Sequence, residues 1–249
     1  MAFGEKLFGA PVNKYRPERS LITGMGAGAV QDLIDFPQQL SGLTILDILT
    51  GTCNNVADLR RKGANIIGVD LAYRDLKGFK ERFVQGIVDP YWWRTGRRPA
   101  QFSAGEIDNW LRPNDDDPIH IRLSKLAYHD LMQDMENGGG YIAAQAEKLP
   151  FADNSVDMVY STYGLSSILI ADYDAFRAAV LEIVRVLKSG GKLQLVPWIH
   201  FDDVELWTRK QTKNMKEFIE FLSNSDLTFA LEESGGHRKI NRLTVIKPM

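Results

Sequence analysis

The order of apolar and polar positions changes its period several times along the chain, and each change marks an element. Residues 43 to 70 read L-T-I-L-D-I-L-T-G-T-C-N-N-V-A-D-L-R-R-K-G-A-N-I-I-G-V-D. Two short apolar runs, at about 44 to 48 and 65 to 69, flank a helical stretch, and Gly63 supplies the helix stop between them. Nearly continuous apolar strands of this kind are buried on both faces, which makes the segment a βαβ unit with parallel strands. Three more strands are predicted at 141 to 145, 156 to 161 and 192 to 197. A helix with Phe176, Val180, Ile183, Val184 and Leu187 on one face separates the last two and is expected to end at S-G-G. A helical stretch from about 204 to 222 follows, then L-T-F-A-L-E-E-S and K-I-N-R-L-T-V-I-K-P, two strands joined by a glycine-containing turn. Strands alternating with helices predict an α/β chain with a doubly wound, mostly parallel sheet, closed by a hairpin.

About seventy residues lie between the second strand and Tyr141, far more than a βαβ crossover requires. The excess is read as an inserted subdomain between strands 2 and 3, at about 74 to 138. Residues 1 to 42 form an expected N-terminal helical cap, and 43 to 249 the main domain. The insertion holds Trp92, Trp93 and Trp110, and its Y-W-W-R-T-G-R-R segment mixes aromatics with arginines. Such a pairing can stack on a planar ligand or form a small core with a basic rim. The acidic residues at 106, 108 and 115 to 117 dilute any basic patch.

Composition narrows the classes. With 249 residues, 44% of them hydrophobic and 25% charged, the chain can bury a full core. A formal charge of -2 offers no overall field for phosphate backbones or anionic membranes, so neither nucleic acid nor membrane is an expected partner. The single cysteine, Cys53, excludes an internal disulfide and a multi-cysteine zinc site. It fits a reducing compartment, and the cytoplasm is the expected location. His120, His129 and His237 lack partners at ligand spacing, so no metal is expected.

Two glycine loops compete for a nucleotide. G-M-G-A-G-A at 24 to 29 satisfies G-x-G-x-x-A, the dinucleotide fingerprint, and supports an alternative reading as an NAD(P)-dependent oxidoreductase. The stretch before it, R-S-L-I-T, is short and partly polar for the strand that the fingerprint requires. The second loop follows the strand around Asp47, where L-T-G-T-C-N-N leads into a helix and Asp70 closes the next strand nineteen residues after Gly51. A carboxylate in that position can accept both hydroxyls of a ribose.

The segment A-Q-A-E-K-L-P-F-A-D-N-S-V-D-M-V-Y-S at 144 to 161, followed by L-E-I-V-R-V-L-K-S-G-G-K-L-Q-L-V at 181 to 196, resembles class I S-adenosylmethionine (SAM) dependent methyltransferases of the type 11, small-molecule group. The resemblance covers about 43 to 70 and again 141 to the C-terminal hairpin. It implies a Rossmann-like, seven-stranded sheet whose last strand is antiparallel, and SAM as cofactor. Carried over position by position, it implies that Asp47, Leu49, Gly51 and Thr52 lie under the methionine part of SAM. Asp70 would then hold the ribose and Leu71 flank the adenine. Gln145 and Ala146 would meet the adenine edge, with Glu147 ordering the loop, and Ser161 and Thr162 would face the sulfonium. Two departures stand out. Gln145 replaces the usual aspartate, and an amide still offers an acceptor there. The first loop, normally D-x-G-x-G-x-G, is D-I-L-T-G-T-C here, with Leu49 and Cys53 at the first and third glycine positions. Glycine serves there for positive φ and close backbone approach, so the branched Leu49 is expected to crowd the cofactor.

Methyl transfer is an in-line displacement at an activated carbon, which a site can promote largely by alignment and water exclusion. The N/D-P-P-Y string of amino-group methylases is absent after strand four, where S-T-Y-G stands instead. Ser166 and Ser167 occupy the place where many relatives carry histidines. Tyr163 and His200 are the candidate catalytic groups nearest the strand ends, and Trp92, Trp93 and Trp110 the candidate walls of an acceptor pocket. The expectation is a SAM-dependent methyltransferase acting on a small-molecule substrate. The alternatives are a SAM-binding protein without methylation activity and the oxidoreductase above. Oligomeric state is left open.

Overall fold

The computed structural model describes residues 30–51, 62–80, 103–116, 119–162, 164–196, 209–234 and 240–249, apart from 31 and 77, together with 56, 59, 60 and 84. A seven-stranded sheet organises them, built from β1 (Thr44–Ile48), β2 (Asn65–Val69), β3 (Tyr141–Ile142), β4 (Val156–Thr162), β5 (Leu187–Val196), β6 (Thr228–Ser234) and β7 (Ile240–Ile246). The strand order is β3-β2-β1-β4-β5-β7-β6. β7 runs antiparallel to both of its neighbours, and the pairs among β1 to β5 are parallel. The helices with described bounds are α1 (Ala104–Leu111), α2 (Ile119–Glu136), α3 (Gly164–Ala171), α4 (Tyr173–Val186) and α5 (Arg209–Ser223).

Alternation along the strands sends successive side chains to opposite faces, each with its own core. On one face Leu46, Ile48, Val159, Leu193, Leu195, Leu243 and Val245 meet Phe176, Val180 and Ile183 of α4 and Phe218 and Leu222 of α5. On the other, Ile45, Ile66, Met158, Tyr160 and Val196 meet Val56 and Leu59 and the N-terminal Val30, Leu33 and Ile34. The chain from 34 to 40 carries no regular structure, so the described part of the expected N-terminal cap is helical only to Leu33. It is nevertheless fixed: Asp35 N donates to Gln194 Oε1 at 2.9 Å, and Lys192 Nζ donates to the Asp35 carboxylate at 2.9 Å.

Two expectations need correction. The strand expected over 141 to 145 pairs only through Tyr141–Ile142, and Gln145 instead forms an isolated bridge with Lys148. The helix expected to end at S-G-G stops at Val186, and Leu187 opens β5 opposite Val156. A distant lysine closes that helix end. Lys247 Nζ donates to the carbonyls of Val184 (2.8 Å) and Leu187 (2.7 Å) and to Asn154 Oδ1, doing electrostatically what a glycine cap does conformationally.

The insertion has its own core. Ile107 and Leu111 of α1 and Tyr128 and Leu131 of α2 pack with Phe79, Val84 and Tyr73, with Trp110, Met132 and Tyr141 at the margin. A capping box between Ser103 and Glu106 starts α1. Tyr141 also lies over Gly68 of β2, where an added Cβ would come within 2.8 Å of the tyrosine ring. Among the described residues, no helix is long and apolar enough to cross a membrane, and no cluster of His, Cys, Asp and Glu could hold a metal.

Candidate functional site

The carboxyl ends of β1, β2 and β4 are where a doubly wound sheet leaves its ligand crevice. The loop after β1 is stitched to the end of β2 by a short series of bonds. Leu49 N donates to Val69 O at 2.7 Å, and Val69 N donates to Thr50 Oγ1 at 3.1 Å. Thr50 Oγ1 in turn donates to Asp47 O at 2.6 Å. Gly51 N donates to Asp70 Oδ2 at 2.9 Å, while Ala72 N donates to Asp70 Oδ1 at 2.8 Å. Tyr73 Oη closes the loop from below, donating to Gly51 O at 2.7 Å. Burial holds that phenol far above its usual range, so it stays a donor.

Leu49 adopts φ +58° and Gly51 φ +55°. The backbone that a glycine loop would take is therefore present with a leucine at its first position, at a cost of roughly 1–2 kcal/mol for the left-handed conformation. The half-buried Leu49 side chain packs against the core cluster that contains the α4 residues and lies close to Gly164, the first residue of α3. Gly164, having no side chain, leaves space beside the leucine.

Asp47 is 1% exposed, and Tyr160 Oη, its partner in register on β4, donates to its Oδ2 at 2.9 Å. Its Oδ1 has no hydrogen bond among the described residues. Burial, countered in part by the tyrosine and reinforced by the nearby Asp70 charge, pushes the Asp47 carboxyl up to about 8. Phe36 meets the Tyr160 ring edge-on at 5.3 Å, so the N-terminal segment roofs this pair.

The remaining expected residues fall into three groups. Leu71, directly after Asp70, is 42% exposed, an apolar surface beside the loop. Gln145 is exposed, whereas Ala146 is buried in the core. Beyond them the 149 to 153 loop is tied to α4, with Leu149 N donating to Glu182 Oε1 and Arg185 donating to the Leu149 and Phe151 carbonyls and to Asp153. Ser161 is buried and its Oγ accepts from Leu165 N at 3.1 Å, so its hydroxyl starts α3. Thr162 is buried beside it. Trp110 lies in the insertion core with Lys125 Nζ 4.3 Å from its ring centroid, and that core reaches the loop through Tyr73. Thr52, Cys53, Trp92, Trp93, Tyr163, His200, His237 and the 24 to 29 glycine loop lie outside the described residues.

Sequence reasoning missed Tyr73 and Tyr160, and gave Thr50 no part beyond its place in the turn from Asp47 to Cys53. Tyr160 was visible only as one more apolar position in a buried strand. Tyr73, three residues after the ribose-type aspartate, carried no signal that its hydroxyl reaches back across the loop.

The residues present suit a cofactor with a ribose and a cationic amino-acid end. The Asp70 carboxylate accepts from the backbone at Gly51 N and Ala72 N, the chemistry that also recognises a ribose hydroxyl. Asp47 Oδ1 is a buried polar atom with no hydrogen bond among the described residues, beneath a loop whose Leu49 and Gly51 amides are held by Val69 O and the Asp70 carboxylate.

Comparison with known proteins agrees with this geometry. A family model described as a methyltransferase domain matches residues 109–195. The ubiquinone/menaquinone biosynthesis C-methyltransferase UbiE of Shewanella pealeana is 43% identical over 102 residues, covering 40% of this chain and 37% of that protein. The enzyme of the same name from Shewanella halifaxensis is 43% identical over 104 residues with the same coverage. The chain thus spans little more than a third of the length of the curated relatives it matches. Among solved structures, a SAM-dependent methyltransferase from Methanosarcina mazei aligns over 87% of this chain and 100% of its own, at 18% identity and a TM-score of 0.46. Magnesium protoporphyrin IX methyltransferase from Synechocystis PCC 6803, solved with bound SAM, aligns over 84% and 72% at 10% identity and a TM-score of 0.43. The strand order, with β7 antiparallel to both of its neighbours and parallel pairs from β1 to β5, is an α/β fold of the class I SAM-dependent methyltransferase type, and the matched methyltransferase-domain model supports that likeness.

Proposed function

We propose that this protein transfers a methyl group from SAM to a small-molecule acceptor. The observation that carries the reading is the loop from Asp47 to Gly51, held in its two left-handed turns by Asp70 and Tyr73. Asp70 would hold the ribose hydroxyls, Leu71 would cover the adenine, and Gln145 and the Ala146 backbone would meet its edge. The loop of Leu49, Gly51 and Thr52, with Asp47 beneath, would hold the amino-acid end. When bound, SAM supplies a methyl carbon on a positively charged sulfur. The protein's own task is then to align the acceptor and exclude water. Tyr163 and His200, just past β4 and β5, are the proposed proton acceptors. Trp92, Trp93 and Trp110 are the proposed walls of the acceptor pocket. The UbiE relatives are named as quinone-pathway C-methyltransferases, which supports a carbon atom on an organic ring as the acceptor class.

Calorimetry and thermal unfolding of the full chain with SAM, its demethylated product and NAD test this. At a hundredfold the dissociation constant, SAM should stabilise the fold by roughly 2.7 kcal/mol. A response to NAD with none to SAM or its product refutes the reading. Tight SAM binding without methyl loss over a panel of ring acceptors favours a SAM-binding role without methylation.

A further inference from the structure

The loop of this chain keeps a left-handed backbone at a position occupied by a leucine, and something must receive that side chain. Gly164 does. A Cβ built on Gly164 would stand 2.5 Å from Leu49 Cβ and 3.0 Å from Leu49 Cδ1, closer than real Cβ atoms come to their neighbours. The near atom is a Cβ on a strained backbone pinned by Leu49 N to Val69 O, so it has little freedom to retreat. A third contact, 3.1 Å to Ser161 Oγ, would also tighten. We propose that Leu49 and Gly164 are a size-matched pair, in which the missing side chain at the start of α3 turns the leucine away from the ligand face of the loop. Gly164 is thereby a positioning residue for the cofactor.

The pairing has a consequence for which residue is tolerant. Gly164 stands at the first position of a helix with no left-handed φ, and alanine is ordinarily the better residue within a helix. Apart from the approach to Ser161 Oγ, which is common to both backgrounds, any loss caused by alanine at 164 must come from Leu49. With glycine at 49 the loop gains the freedom its backbone needs, and alanine at 164 meets open space on that side.

The inference rests on the proposed cofactor reading for its ligand part, and the experiment separates the two. Four full-length proteins are compared: the parent, Gly164→Ala, Leu49→Gly, and the double variant. Each is measured by thermal unfolding without ligand and by calorimetry with the demethylated product of SAM. The expected result is a fall in Tm and at least a tenfold loss of affinity for Gly164→Ala in the parent. In the Leu49→Gly background the same change should alter affinity by less than twofold and leave Tm unchanged or higher. Equal effects of Gly164→Ala in both backgrounds overturn the pair, as does no effect in the parent. If none of the four binds the product, the cofactor reading fails, and Tm non-additivity alone decides whether the pair exists.

Discussion

Asp47 offers the sharpest test of the site's electrostatics. Its carboxyl is raised from an ordinary 3.8 to about 8 in the folded protein. Below 3.8 both folded and unfolded chains hold the proton and the group costs nothing. Between 3.8 and 8 the unfolded chain releases a proton that the folded one keeps, so stability falls as pH rises, and it levels off above 8. The slope is about 1.4 kcal/mol per pH unit, and just over three units separate 3.8 from pH 7, which gives a cost of about 4 kcal/mol at neutrality. Asp47→Asn removes the titration while keeping an acceptor for Tyr160. It also places an amide N–H at the Oδ1 position, which has no partner among the described residues, at a cost of roughly 1–3 kcal/mol. The variant should therefore be equal to or less stable than the parent near pH 4 and more stable at pH 7 by about 1–3 kcal/mol. Urea unfolding followed by circular dichroism at pH 4, 5, 6, 7 and 8 and constant ionic strength measures both curves. Other titrating groups are common to the two proteins and cancel in the difference. Parallel curves across this range would falsify the assignment of a neutral, buried Asp47.

Asp70→Ala removes the acceptor for both Gly51 N and Ala72 N and should weaken binding of SAM or its product by about 1.5–3 kcal/mol, with the fold retained; unchanged affinity by calorimetry places the ribose elsewhere. Gly68→Ala drives a Cβ against the Tyr141 ring and should cost about 1–3 kcal/mol in urea unfolding, an effect that Tyr141→Ala in the same chain should relieve. Lys247→Met leaves the last carbonyls of α4 without their cation and should lower stability by about 1–2 kcal/mol, read as a fall in Tm; no change means the lysine is redundant there.

Much of this could be read from the chain. Strands buried on both faces announce themselves as apolar runs, as β1, β2 and β4 do, and the hairpin strands β6 and β7 lie on either side of the glycine-containing turn read from the sequence. Asp47 and Asp70 were legible because a ligand crevice calls for polar residues at strand ends, where apolar ones would otherwise stand. What escaped depends on register between distant segments. Tyr160 reaches Asp47 because β4 pairs beside β1 with those residues opposite each other, and the sequence of neither strand states that register. The end of α4 was misplaced because its cap comes from Lys247, beyond three further strands and a helix. Leu49 looked like an obstruction since the glycine that receives it stands at the start of α3, on the far side of the insertion.

The position of β7 inside the sheet governs how the molecule can be assembled. It is the last of the seven strands to leave the ribosome, yet among the described residues it alone pairs with β6 and alone covers the outer edge of β5. A nascent chain ending before Ile240 can complete the parallel half from β3 to β5 but must hold β6 apart. It leaves the β5 ladder at Lys192, Leu193, Gln194 and Leu195 open to any extended segment nearby. Closure then requires a hairpin to zip against an edge that is already folded, a non-local and comparatively slow event. The hazard of misassembly is concentrated in that interval, at a strand edge remote from the cofactor loop. Substitutions at Leu243 or Val245 should therefore lower the yield of native protein through the rate of sheet closure, over and above any loss in final stability.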